Sequence, residues 1–474
     1  MPEKPKTAFC VPPGQRQLFL DDHGVARIEH LTRTLHQPDK KGAVIRPDRP
    51  WESALQTRSA PAWDVKEEVF KLWMITSTTI EGVGGMTYAE SKDGIHWTKP
   101  ILRQMEVDAS LENNFVTIDE DPHLSWPANA IENVVTDPFD PDPSRRYKGL
   151  GHCAGREPLI SPDGIHWKRL DVPKISSGDE SNLSYDRSTR TFIASVKQGG
   201  PHGRSVYLSI SKDFECWTHP ELIFHADDLD QELGREHIQA RLDNPTLQQP
   251  LYNEPAKYNV DVYNMGMFRY EGLYVGMPAM FHATGPVGDN SDGFHLVQLT
   301  CSRDLKTWKR LGDRKPFIGP SPVADGGYDR TQILPPSRSV VHGDELWFYY
   351  TGIKYRAAPE NPDPDWGAIC LSVLRRDGFV SLDAGEAEGV LVTEPFALSG
   401  DNLYVNGDLS NGALRVQVLR KDGQEVAASE PIVGDQLRGR IQWVRGDLTS
   451  LKNREVILRF HLRNAKMYSY WVEK

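Results

Sequence analysis

The sequence predicts an all-β chain, a five-bladed β-propeller followed by a C-terminal β-sandwich, and three observations carry that prediction. The phrase Ser91-Lys92-Asp93-Gly94-Ile95-His96-Trp97 returns as Ser161-Pro162-Asp163-Gly164-Ile165-His166-Trp167, and its relaxed form Ser-x-Asp-x-x-x-Trp returns from Ser211 and from Ser302. Each copy follows or accompanies strand-like text with an aromatic-rich strand upstream. The composition agrees, since 39 Gly, 34 Pro and 12 Trp with only 38% hydrophobic residues imply many short strands joined by many turns.

Along the chain, QRQLFLDD (15–22) is the first strand candidate. Leu18 to Leu20 are expected to pair with 367–374, which would close the ring and hide an exposed edge. Five aromatic-rich strands follow, VFKLWMITS, RRYKGLG, RTFIASVK, GLYVGMPAMF and DELWFYYTG, one for each blade. In the first four blades the repeated phrase ends a strand. Its Ser and Asp suit the amides of a tight turn, Gly94 and Gly164 accept a positive φ, and the Trp packs back on the sheet. In the fifth blade Arg376-Asp377-Gly378 stands in for that turn. The irregular spacing of the copies fits a propeller with long loops better than a solenoid.

Beyond residue 376 the text changes. GVLVTEPF, NLYVNG, ALRVQVLRKDG, GRIQWV, REVILRFHLRN and KMYSYWVE alternate apolar and polar residues, with Asp422-Gly423 as a hairpin turn. The expected domains are therefore 1–376, a propeller, and 377–474, a sandwich. No low-complexity linker separates them, so they are expected to pack rigidly.

A net charge of −11 without basic blocks argues against nucleic acid or an anionic membrane surface as partner. No run approaches the ~18 apolar residues needed to span a bilayer, and MPEKPKTAFC lacks a signal-like core. As written the chain reads as cytoplasmic; a leader upstream would make it periplasmic or secreted. The five cysteines, Cys10, Cys153, Cys216, Cys301 and Cys370, are odd in number and lack CxxC spacing, which implies buried thiols rather than a disulfide framework or metal site. No pattern fixes an oligomeric state.

Blades of this form followed by a sandwich resemble the glycoside hydrolases of the five-bladed β-propeller superfamily, the arabinanase/xylosidase and invertase/levanase-like families, with this chain a divergent member. The resemblance implies a glycosidase, exo-acting on a plant or algal saccharide, with paired carboxylates at the propeller axis. No organic cofactor is required, because two carboxyls and a positioned water suffice. A structural cation such as calcium is compatible, and DPFDPDPSRR (137–146) resembles a cation-binding loop, although its prolines favour a solvated turn. Two other readings stand beside this one: a non-catalytic carbohydrate-binding propeller, and a lyase or dehydratase acting on an acidic sugar through Arg58, Tyr263, His282 and Arg330.

In such propellers the acids come from the segments just before the aromatic strands. The catalytic candidates are Asp179, Glu180, Asp261, Asp329 and Glu52. Asp179 and Glu180 adjoin in GDESNLSYD, where strand alternation lets only one face the axis. Asp261 interrupts YNVDVYNMG, and a lone buried carboxylate there needs a partner or a task. The proton donor is expected on blade three and the base on blade four. Arg58, Glu132, Asn182, His237, Tyr263, His282 and Arg330 are the substrate-binding candidates, and Trp63, Trp126 and Tyr263 suit stacking on a sugar face. Gly-x-Ser-x-Gly, P-loop, Gly-x-Gly-x-x-Gly and HExxH signatures are all absent from the sequence.

Overall fold

A computed structural model describes residues 9–121, 123, 128–151 and 154–474; Trp126 and Cys153 lie outside the described residues. Five antiparallel meanders follow one another along the chain. The first comprises Glu52–Gln56 and Ala62–Asp64 on one side of Val69–Thr78, and Gly84–Ser91 on the other. Ile131–Thr136, Tyr147–Gly151, Glu157–Ser161 and His166–Arg169 form the second, and Ser181–Asp186, Thr191–Gln198, Ser205–Ser211 and Glu221–Phe224 the third. The fourth runs Asn259–Tyr270, Leu273–Val287, Thr300–Ser302 and Lys309–Arg310, with Asn290–Val297 also on its second strand. Gln332–Leu334, Glu345–Ile353 and Gly367–Arg375 build the fifth, and a Gly367–Ala54 bridge joins it to the first.

The repeated phrase is the turn after the third strand, and in all four copies the Asp accepts from the amides two and three residues on while the Trp indole donates back to a turn carbonyl. In the second copy Gly164 N donates to Ser161 Oγ at 2.8 Å, Ile165 N and His166 N donate to Asp163 Oδ1, and Trp167 Nε1 donates to Gly164 O. The residue after the Asp takes positive φ, +76° at Gly94 and +86° at Gly164. Phe214 and Leu305 occupy the same region at +68° and +64° without the freedom of glycine. These turns are also joints between meanders. Trp73 of the first meander donates to Gly164 O at 2.6 Å, and Tyr349 of the fifth donates to Gly94 O at 2.9 Å. A Cβ at residue 164 would stand 2.3 Å from the Trp73 ring, so only glycine fits.

The expected closure by Leu18 to Leu20 is not what is found. Asp39–Ile45 is the strand beside Gly367–Arg375, whereas Gln17–Leu18 pairs with Tyr470 and Ser469 near the C-terminus. Burial explains the exchange. Phe19 enters the C-terminal core while Leu18 and Leu20 enter the core of the fourth and fifth meanders, so this segment spans two cores. Asp39–Ile45, with its exposed lysines, suits a sheet edge.

Val25–Glu29 and Thr32–Leu35 likewise join Gly389–Thr393 and Val380–Ala384. The C-terminal strands thus lie in a twelve-stranded sheet to which the N-terminal segment contributes. Asn402–Leu419 is a single long strand spanning two of the segments expected as separate strands. Asp377 does not serve as a fifth turn of the repeated type. It is buried and accepts from Arg16 Nη1, Tyr270 Oη and Ser469 Oγ, each at 2.6 Å, tying the two units together.

An α-helix, Asp228–Leu242, is capped by a reciprocal Asp227–Asp230 box and packs on the fourth meander. Cys301 and Cys370 are buried, but Cys10 and Cys216 are exposed, against expectation. No helix among the described residues is long and apolar enough to cross a membrane.

Candidate active site

Small polar side chains from the first strands of the meanders meet in one buried network. Asn133 Nδ2 donates to Ser181 Oγ at 2.8 Å, Asn133 Oδ1 accepts from Leu183 N, and Asn264 Nδ2 donates to Asn182 Oδ1 at 2.9 Å. Ser337 Oγ donates to Arg58 O at 2.6 Å, and Ser59 Oγ accepts from Val134 N. Every meander contributes to this network, so the segments at one end of these strands are brought together. Those segments line a cavity of about 460 Å³ that includes Arg58, Glu132, Asp179, Glu180, Tyr263 and Arg356.

Glu180 is almost fully buried, and both its oxygens are held by Arg58, at 2.5 Å from Nε and 2.7 Å from Nη2. Burial pushes its carboxyl up, but the charge and hydrogen bonds of Arg58 overcome this and hold it well below the usual range. Glu132, also buried, accepts from Ser181 N at 3.2 Å and faces one Arg156 nitrogen at 3.1 Å. Here burial wins. Arg156 pulls the carboxyl down while the neighbouring Glu180 charge pushes it up, and it stands at about 7. Asp179 is half exposed and ion-paired with Lys197 Nζ at 2.5 Å. That ammonium also lies 3.8 Å from the centre of the Tyr263 ring.

Asp179 and Glu180 both line the cavity, although alternation was expected to turn one away. They precede the strand Ser181–Asp186 and escape its two-residue period. Glu180, kept ionised by Arg58, is poorly suited to giving a proton. Asp261 does not line the cavity: it is buried beside Arg204 at 3.4 Å, and burial raises its carboxyl.

Glu52 and Asp329 are placed elsewhere. Glu52 accepts from the amides of Asp48 and Arg49 and from Lys99 Nζ at 2.6 Å, fixing the turn that enters its strand. Asp329 takes Tyr350 Oη at 2.8 Å and pairs with Lys40 of the edge strand at 2.7 Å. Each has found a lysine away from the cavity. Asn182 belongs to the axial network. Arg330 donates through Nε to Gly327 O and does not line the cavity. His237 lies on the helix, with Nδ1 at 3.1 Å from His282 Nε2, and His282 is fully buried, stacked on Phe294 and held neutral by burial and the His237 charge. Neither histidine lines the cavity, which leaves the lyase reading without its histidine.

Lys197, Arg156, Arg356 and Gln332 are site residues that the sequence reading missed. Arg356 lines the cavity and donates to Gln332 Oε1 at 3.2 Å. A lysine ending the apolar run TFIASVK was the one available signal for Lys197. Trp63 lies at the opposite end of the strands, and the acids of 137–146 are engaged within their own turn, where Asp137 and Asp140 pair with Lys148. Among the described residues no three His, Cys, Asp or Glu side chains are grouped to hold a metal ion.

No protein-family model matches the chain, and no curated protein does. Solved structures to which it is similar include a glycoside hydrolase at 13% identity and TM-score 0.44, covering 72% of this chain and 92% of that one. A second is the Bombyx mori GH32 β-fructofuranosidase, at 8% identity and TM-score 0.42 over 91% and 93% of the two chains. The chain is also similar to a glycoside hydrolase family 43 arabinoxylan arabinofuranohydrolase from Bacillus subtilis, at 9% identity and TM-score 0.41 over 91% and 99%.

Proposed function

We propose that the five meanders are the blades of a β-propeller, that the C-terminal strands form a sandwich beside it, and that the protein is an exo-acting glycoside hydrolase. The observation supporting this is the convergence of the Glu132, Asp179 and Glu180 carboxyls on one cavity, with burial raising Glu132 to about 7. Glycoside hydrolysis requires a proton donor to the leaving oxygen and a second carboxylate that attacks or activates water. Glu132, with its raised pKa, is the donor. Asp179, half exposed to the cavity, is the carboxylate that attacks or activates water. Glu180, forked by Arg58, is charge-balanced and holds that guanidinium at the cavity wall. A cavity of about 460 Å³ suits the end of a saccharide, and the Tyr263 ring offers it an aromatic face.

The test is a screen of aryl glycosides and natural oligosaccharides with wild type beside Glu132→Gln and Asp179→Asn. Loss of the donor is expected to cost about 10²–10⁴-fold on natural substrates. It should cost far less on aryl glycosides, whose leaving groups depart without a proton. Asp179→Asn should fail on both. Full turnover in both variants overturns the assignment, and binding of sugars without cleavage by wild type replaces it with a binding propeller.

A further inference from the structure

The opposite ends of the same strands open on a second, larger cavity of about 870 Å³, in whose lining cations outnumber acids. Lys92, Arg146, Arg187, Arg269 and Arg338 line it, with Asp186 the lone acid among its lining residues. Asp186 is already engaged by Tyr274 Oη at 2.8 Å and by Ser188. Arg146 is paired with Asp64, but Lys92, Arg187, Arg269 and Arg338 make no ion pair among the described residues. The three arginines donate to neutral acceptors alone: Arg187 to Thr136 Oγ1, Arg269 to Glu271 O, and Arg338 to the carbonyls of Pro61 and Ser339. Such a cluster is unusual in a chain of net charge −11. Burial and the Arg187 charge pull Arg338 down to about 10, so the cations raise one another's free energy in the absence of a counter-charge. Beside them Trp63 stands 43% exposed, braced edge-on against Phe70 at 4.7 Å.

We propose that this mouth binds a short anionic oligosaccharide, whose carboxylate or sulfate groups meet Arg187, Arg269 and Arg338 while a sugar face stacks on Trp63. The volume is that of a small-ligand site. A long polyanion such as nucleic acid would meet repulsion from the net negative charge of the chain beyond the mouth. The two sources of anionic group share one chemistry, a planar or tetrahedral oxyanion on a bidentate guanidinium. This inference is independent of the hydrolase reading, since it uses none of the residues of the other cavity.

Calorimetric titration of the intact protein with a galacturonic acid trisaccharide, a sulfated galactose trisaccharide, neutral xylotriose and inorganic sulfate tests it. At least one anionic trisaccharide should bind and xylotriose should not; which of the two binds identifies the oxyanion. The double variant Arg187→Ala/Arg269→Ala should weaken binding by about a hundredfold, roughly tenfold per guanidinium. Trp63→Ala should weaken it about tenfold. These side chains are exposed or half-exposed, so the variants are expected to fold, as thermal melting would verify. Arg356→Ala, in the other cavity, should bind like wild type. Equal affinity for xylotriose, sulfate binding as tight as the oligosaccharides, unaltered binding in the arginine variant, or loss in Arg356→Ala each overturns the proposal, as does the absence of any binding.

Discussion

Replacing Arg58 with Met separates the two contributions of the Arg58–Glu180 pair, to stability and to the charge of the site. Both side chains are buried, and their two hydrogen bonds are 2.5 and 2.7 Å long. Each charge-assisted bond is worth ~1.5–3 kcal/mol net, and removing one member of a buried pair costs about 3–5 kcal/mol because the other charge stays behind without its partner. Lys197 and Arg156 also act on Glu180, so the lower end, about 3 kcal/mol, is expected. The pH dependence follows from the direction of the shift. In wild type the carboxyl sits below its unfolded value of about 4.3, so its contribution is complete above that pH and is lost as pH falls through the folded pKa. Without Arg58, burial dominates and places the carboxyl above about 4.3, so the variant loses stability as pH rises past that value. The deficit should therefore be widest at neutral pH and shrink in acid. Urea unfolding at neutral pH and near pH 4 measures it, with Arg58→Met/Glu180→Gln recovering part of the neutral-pH loss. A deficit under about 1 kcal/mol, or one that does not change with pH, would refute the reasoning.

Three further outcomes are expected. If Glu132 is the proton donor, kcat/KM should fall as pH rises through about 7, and Glu132→Gln should abolish that limb; a limb that persists in the variant assigns it to another group. Gly164→Ala places a methyl 2.3 Å from Trp73 at φ +86°, and thermal melting should register a loss of about 1–3 kcal/mol; an unchanged midpoint would show that the joint yields freely. Deleting residues 1–18 removes the Arg16–Asp377 pair, the 3.9 Å stacking of Arg16 on Trp471 and the pairing of Gln17–Leu18 with Ser469 and Tyr470. It should lower the melting midpoint by several degrees at least, and an unaltered midpoint would contradict the described joint between N- and C-terminal segments.

The strands and turns were legible because their causes are local. A Ser, an Asp two residues on and a Trp four beyond that make a tight turn, and in all four copies the Asp carboxylate accepts from the amide three residues on. The strand that completes the fifth meander was not legible, because DKKGAVI has no apolar alternation: an edge strand is selected by the neighbour it covers, not by its own pattern. Among the acids, Glu132, Asp179 and Glu180 reached the cavity, but Glu52 and Asp329 resembled them in local text and differ through distant partners. Lys99 is 47 residues from Glu52 in sequence, and Lys40 is farther still from Asp329. Which carboxylate is neutralised by a remote lysine is a tertiary fact that no local motif contains.

The same distinction decides which of the two buried carboxyls carries a proton. Glu132 and Glu180 raise each other's cost of ionisation, and with both side chains buried one of them is expected to remain protonated. Their cations are unequal. Arg58 presents two nitrogens to the two oxygens of Glu180, while Arg156 approaches Glu132 with one nitrogen at 3.1 Å. The fork on Glu180 is the stronger arrangement, so the proton goes to Glu132. Arg58 is held in turn by the axial network, through its carbonyl on Ser337 Oγ at 2.6 Å, and Ser337 also meets Asn133 and Asn182. The contacts that gather the first strands thus also hold the backbone that carries this guanidinium. Ser337→Ala removes the Oγ bond to the Arg58 carbonyl but keeps the 2.8 Å bond from Ser337 N to the same oxygen, so it is expected to leave Arg58 on Glu180 and the alkaline limb of kcat/KM unmoved; a shifted limb would show that the hydroxyl is needed to place the guanidinium.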